Sequence, residues 1–232
     1  MNILTVAIGL LMASSVVGAK GLETKSPEKE FRLDSLNGLE IINIKGEVVE
    51  YHGRRAVRLA KREEQGAESN SANESLAILS GTDFKDGTIE AEIAGTPAAG
   101  SPADSRGFVG IAFRVIGHGA KFECFYLRPT NGRAEDQLRR NHSLQYVSYP
   151  DYPWYRLRKE NPGVYESYAD MEAGAWTKIR IEVSGTKAML FVNGAAQPSL
   201  VVNDLKLGES RGQIALWSTV ETVGYFSNLT IK

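Results

Sequence analysis

The stretch Trp176-Thr-Lys-Ile-Arg-Ile-Glu-Val-Ser-Gly-Thr-Lys-Ala-Met-Leu-Phe-Val-Asn-Gly194 decides the fold. Ile179, Ile181 and Val183 alternate with Lys178, Arg180 and Glu182, the two-residue period of a strand with one wet face. Ser184-Gly185 then breaks the run and a second apolar strand, Lys187–Val192, follows before Asn193-Gly194. The same reading extends outward in both directions. Thr88–Ala94 puts Ile89, Ala91 and Ile93 on one face and Glu90 and Glu92 on the other. Further strands are expected at 39–45, 47–51, 54–60, 76–79, 107–116, 121–128, 143–148, 213–218 and 224–231. Asp86-Gly87, His52-Gly53 and Gly117-His118-Gly119 supply turns. No amphipathic helix of 12 or more residues is expected after the N-terminal segment. Many short antiparallel strands make an all-β sandwich or barrel.

The 232 residues carry 27 Lys plus Arg against 28 Asp plus Glu, for a net charge of −1. That balance offers no surplus to neutralise a phosphate backbone, which argues against nucleic acid as the partner. One cysteine, Cys124, rules out an intramolecular disulfide. Ile3 to Ala19 is uncharged and ends in the small residues Val17-Gly18-Ala19, as a secretory signal does. The expected organisation is a signal segment 1–19 and a single domain 20–232, secreted or periplasmic, with no stable membrane insertion after cleavage. Three sequons, at Asn73, Asn141 and Asn228, matter only in a eukaryotic secretory path.

Strands 107–116 and 121–128 read as a hairpin with residues 117–120 as its loop. With Ile116 opposite Lys121, Phe113 meets Cys124 and Val115 meets Phe122 on a core face. Arg114 then meets Glu123 on the other face, as a cross-strand ion pair. A loop one residue longer or shorter would flip every one of these assignments.

Residues 129–175 form a long insert that holds six of the nine tyrosines. Long insertions in a sandwich tend to carry function. Aromatic faces with polar tips, mixed with arginine, suit the C–H faces and hydroxyl edges of sugars. The expected ligand-binding residues are Arg128, Arg133, His142, Tyr146, Tyr149, Tyr152, Trp154, Tyr155 and Arg156, with Trp217 from a later strand. The alternative is that these aromatics cover a sheet edge or face.

The segments 83–93, 106–115, 122–133, 176–194, 212–218 and 225–231 resemble the concanavalin A-like lectin/glucanase superfamily, in particular bacterial laminin-G-like domains and the 3-keto-disaccharide hydrolase family. The resemblance spans about residues 80–232 and implies a jelly-roll sandwich of two antiparallel sheets, one of them concave and ligand-bearing. It also implies Glu123 and Arg114 as catalytic candidates, because Phe113-Arg114 and Phe122-Glu123-Cys124-Phe125 match a paired-strand motif of the hydrolases. Phe125 stands where those relatives carry Gln, and Glu90-Ala91-Glu92-Ile93 does not match the glucanase catalytic strand. An adjacent arginine would also lower a glutamate pKa, which opposes acid–base work. Related sandwiches often hold calcium, for which Asp83, Asp86 and Asp204 are loop oxygens, although no dense ligand motif is present and the metal stays unknown. No zinc-type histidine spacing and no nucleophile elbow occur. The leading expectation is a carbohydrate-binding, lectin-like domain. The alternatives are a glycan-processing enzyme of the keto-disaccharide hydrolase type and a protein-binding adhesion module.

Overall fold

The computed structural model describes residue 1, residues 28–62 and residues 75–232. The expected signal segment and the Asn73 sequon lie outside the described residues. The chain runs β1 (Lys29–Phe31), β2 (Leu39–Ile42), β3 (Lys45–Tyr51), β4 (Arg54–Ala60), β5 (Ser75–Phe84), β6 (Gly87–Pro97), β7 (Val109–Ile116) and β8 (Lys121–Leu127). A 3-10 turn (Pro129–Asn131), helix α1 (Gln137–Asn141), β9 (Leu144–Tyr149), helix α2 (Trp154–Glu160) and β10 (Glu166–Ser167) follow. The chain closes with β11 (Thr177–Ser184), β12 (Lys187–Val192), β13 (Leu200–Val202), β14 (Gly212–Ser218) and β15 (Thr222–Ile231).

These strands build two antiparallel sheets. One has eight strands in the order β13-β12-β11-β6-β15-β4-β3, with β1 added beside β15. The other has seven, in the order β10-β9-β8-β7-β14-β5-β2. The alternation read in β11 and β6 holds: Ile179 pairs with Ala91 and Ile181 with Ile89, and all four are buried against the second sheet. Glu90 and Glu92 sit on the outer face, opposite Arg180 and Lys178, and Glu92 also pairs with Arg54. His52 and Gly53 turn the β3–β4 hairpin with both φ angles positive, as a two-residue hairpin loop requires. Among the described residues no helix is long and apolar enough to cross a membrane.

The β7–β8 hairpin corrects the expected register. Ile116 does face Lys121, but from Phe113 onward the pairing has slipped by one, so Phe113 meets Glu123 and Gly110 meets Tyr126. The cause is a β-bulge at Arg114, whose φ of 53° places it in the left-handed region. One extra residue in β7 therefore turns the face of β8 over. Phe113, Phe125 and Tyr146 point into the sandwich, whereas Phe122, Cys124 and Tyr126 point out of the seven-stranded sheet.

The expected pair of Arg114 with Glu123 is not formed. Both side chains are fully buried. Arg114 donates to the carbonyls of Lys85 (Nε 3.0 Å), Gly185 (Nη2 2.7 Å) and Gly208, and reaches Asp86 at 3.3 Å. It ties together three turns at one end of the sandwich. Glu123 accepts from the Tyr146 hydroxyl and from the Leu207 amide at 2.7 Å. Tyr146 in turn accepts from the Lys206 amide at 2.8 Å. Burial pushes the Glu123 carboxyl up, against the opposing hydrogen bonds from Tyr146, Leu207 and Ser148 and the charge of Arg114.

The insert is also more regular than a loop. It contributes β9 and β10, the outermost strands of the seven-stranded sheet, and both short helices.

Candidate functional site

Gly110 is where the site begins. A Cβ there would stand 2.6 Å from the Tyr126 Cβ, so only glycine lets Tyr126 close over β7. Tyr126 uses that space to stack on Trp217 of β14, with ring centroids 4.7 Å apart. Phe122, four residues away on the same outer face, stacks on Tyr149 of β9 at 5.1 Å. Phe108 meets Tyr126 edge-on at 5.9 Å. These rings floor a trough of about 300 Å³, with Pro153 and Trp154 of the β9–α2 corner as one wall and Thr219 and Glu221 at its rim. Trp154 is 43% exposed, whereas Tyr126 and Trp217 are almost entirely covered, so the wall is open and the floor is fixed.

A second, polar cavity of about 410 Å³ adjoins the trough and shares Phe108 and Trp154 with it. Arg106, Arg128, Arg139 and Arg158 line it, together with His142, Asp104 and Asp136. Arg128 joins the two spaces, because its guanidinium lies over the Tyr126 ring at 5.2 Å and donates to the Tyr126 hydroxyl and to Gln145, both at 3.0 Å. Arg158 lies over Trp154 at 4.7 Å, one helical turn along α2. Beneath them Glu166 of β10 accepts from Arg128, Arg158 and the His142 ring. Burial raises the Glu166 carboxyl, but Arg158, Arg128 and His142 outweigh it and hold it below the usual range.

The surface is therefore an aromatic slot continuous with a guanidinium-rich pocket. It can stack a flat apolar face and donate hydrogen bonds to an oxygen-rich edge.

Neither a family model nor a curated protein matches the sequence. Solved structures do. The carbohydrate-binding module CBM66 from Bacillus subtilis is 13% identical, with a TM-score of 0.54 over 84% of this chain and 96% of that one. A Bacillus subtilis protein of unknown function with a galectin-like fold reaches a TM-score of 0.57 at 9% identity, over 88% of this chain and 94% of that one. The transglycosylase Crh5, solved in complex with NAG, reaches 0.53 at 11% identity, over 89% and 84%. The fold is the concanavalin A-like jelly roll.

Within this jelly roll the expected ligand residues divide. Arg128, His142, Tyr149, Trp154 and Trp217 line the trough or the arginine cavity. The other five lie elsewhere. Tyr146 points inward and is fully buried on Glu123. Tyr152 sits under Arg156 and Lys206 at the edge of the core. Tyr155 projects from α2 into solvent, and Arg156 bonds Glu160 and the Asp151 carbonyl beside it. Arg133 is exposed and paired with Asp170 and Glu172. The catalytic candidates Glu123 and Arg114 are inside the sandwich, away from the trough floor. Glu90 and Glu92 lie on the outer face of the opposite sheet.

Phe108, Phe122, Tyr126 and Arg106 are site residues that sequence reasoning did not select, and Arg139 and Arg158 counted there only among the arginines of the insert. The bulge hid Phe122 and Tyr126 by reversing their face. For Arg158 the signal was present, since Trp154 and Arg158 stand four apart on a short helix. Asp83, Asp86 and Asp204 do not fit a calcium site. They belong to ion pairs with Arg211, Arg114 and Lys206, and among the described residues no three carboxylate, His or Cys side chains cluster.

Proposed function

We propose that this jelly roll is a carbohydrate-binding domain that acts outside the cytoplasm and seats a saccharide in the trough on the seven-stranded sheet. The carrying observation is the exposed ring of Trp154 with the partly exposed Phe108 and Tyr149, standing over a packed aromatic base of Tyr126, Trp217 and Phe122. Sugar rings present C–H faces to such surfaces, and the site matches the general form of small-molecule pockets, mostly apolar with a few convergent polar groups. The fold shared with a carbohydrate-binding module supports the reading at the level of architecture. Export rests on the uncharged Ile3–Ala19 segment. The enzyme alternative is weaker because Glu123 is wholly enclosed and held by protein donors, which leaves no room for a glycosidic oxygen beside it.

The test is a glycan array probed with residues 20–232, with hydrolysis products followed in the same wells. Binding that is lost in Trp154→Ala and kept in Glu123→Gln is the expected result. Product formation abolished by Glu123→Gln would replace this reading with the hydrolase. Silence across neutral and charged glycans alike would remove it.

A further inference from the structure

We infer that the saccharide is anionic, with its ring in the aromatic trough and its carboxylate or sulfate between Arg106 and Arg139. This rests on the carbohydrate reading above and narrows it to a ligand class. The four guanidinium groups of the polar cavity are not equivalent. Arg128 and Arg158 share the buried carboxylate of Glu166, so their charge is already answered from below. Arg106 and Arg139 are not answered in this way. Among the described residues no carboxylate lies within ion-pair distance of either side chain. Arg106 donates only to the carbonyls of Ala103 and Ser105, both at 3.3 Å. Arg139 reaches Asn131 at 3.3 Å and Thr130 at 3.4 and 3.5 Å, all long for a charged donor.

The two carboxylates that also line the cavity do not close the gap. Asp136 spends an oxygen as the cap of α1, accepting from the Arg139 backbone amide at 2.7 Å. Asp104 opposes the charge of Arg106 only in part. Burial first, and then Arg139 and Arg128, hold Arg106 below the usual guanidinium range despite Asp104. Three cations thus crowd one wall of a cavity whose mouth is open to solvent.

Covering such a wall with a neutral ring would desolvate two guanidinium groups that lack a paired carboxylate, which is costly. An oxyanion there removes the repulsion and accepts the fork of donors that arginine presents. The shared walls Phe108 and Trp154 make the geometry consistent, because a ring resting on the aromatic side has its neighbouring substituent in the arginine cavity.

Uronic acids and sulfated sugars carry the same chemistry, and the experiment separates them. Residues 20–232 are titrated calorimetrically with oligogalacturonate, its methyl ester, a sulfated galactan fragment and the desulfated fragment, at low and high salt, alongside an array of neutral glycans. The expected result is binding of an acidic member, loss on esterification or desulfation, and weakening by salt. Arg106→Ala and Arg139→Ala should each weaken the acidic ligand about tenfold, the loss of one charged hydrogen bond. Trp154→Ala should weaken acidic and neutral glycans alike. Thermal melts of each variant separate lost binding from lost folding. Neutral glycans that bind as well as the acidic ones, with no effect of Arg106→Ala or Arg139→Ala, would overturn the inference and leave the carbohydrate reading standing. No glycan binding at all would overturn both.

Discussion

Glu166 and Glu123 are two buried carboxylates with opposite consequences for stability. Glu166 lies below its usual value of 4.5 because Arg158, Arg128 and His142 outweigh its desolvation. A carboxyl whose pKa is lower folded than unfolded stabilises the fold above 4.5, and that stabilisation disappears as pH falls through the folded value. Urea titrations should therefore show stability declining below about pH 5. In Glu166→Gln the acid decline should flatten, and stability at neutral pH should drop by about 3 kcal/mol, as when one partner of a buried ion pair is removed. Glu123 has the reverse sign. Desolvation lifts it above 4.5, so the folded chain holds a proton that the unfolded chain releases, and this residue costs stability as pH rises through its folded value. Glu123→Gln keeps an acceptor for the Leu207 amide and should remove that cost. Glu123→Ala strands the Tyr146 hydroxyl and the Leu207 amide and should lose about 2–4 kcal/mol by denaturant titration. A Glu123→Ala protein as stable as the parent would show that this network is not what pins the β13–β14 connection to the seven-stranded sheet.

At the scale of the element, one residue of β7 decides what the site is made of. Arg114 takes a left-handed φ of 53° and inserts the bulge, and its guanidinium fastens the turns at Lys85, Gly185 and Gly208. Lysine offers a single ammonium in place of a planar fork, so Arg114→Lys leaves buried carbonyls unpaired. We expect a loss of about 2–4 kcal/mol in a chemical melt, with the far-ultraviolet spectrum of a sandwich retained. A loss below about 0.5 kcal/mol, the size of an ordinary surface substitution, would refute the bracing role. The same bulge marks the limit of what was legible beforehand. The strand pattern of Thr88–Ala94 and Lys178–Val183 predicts the inward and outward faces correctly, because alternation of isoleucine with charge admits one choice of face only. β7 and β8 are apolar on both faces, so their composition tolerates either register. Arginine at a bulge has no turn signature, unlike His52-Gly53 or Asn193-Gly194.

At the scale of the whole molecule the site is a composite. The trough takes rings from β8, β9, β14 and the chain before β7, and the arginine cavity adds α1, α2 and the segment after β8. Trp217 and Trp154 stood out in the sequence as aromatics at a strand face and in the insert. Phe108 and Arg106 did not, since only the folded sheet brings residues 106–108 beside residues 139–158. That assembly gives Cys124 a use as a reporter. It is the single cysteine, fully buried, and lies between Phe122 and Tyr126 on the outer face of β8. Labelling its thiol requires the sheet to open, so in moderate denaturant the rate reports the population of the open form. A ligand that binds only the closed trough lowers that population by the factor 1 + [L]/Kd. At ligand 100-fold over Kd, thiol labelling should slow about a hundredfold, and the denaturation midpoint should rise by about 2.7 kcal/mol of added stability. Trp154→Ala, which removes a wall and not the floor, should label at the parental rate without ligand and lose the protection. Protection that persists in Trp154→Ala would move the ligand away from the trough, whereas unchanged labelling of the parent at saturating ligand would mean that Cys124 is reached by a local opening that leaves the bound surface intact.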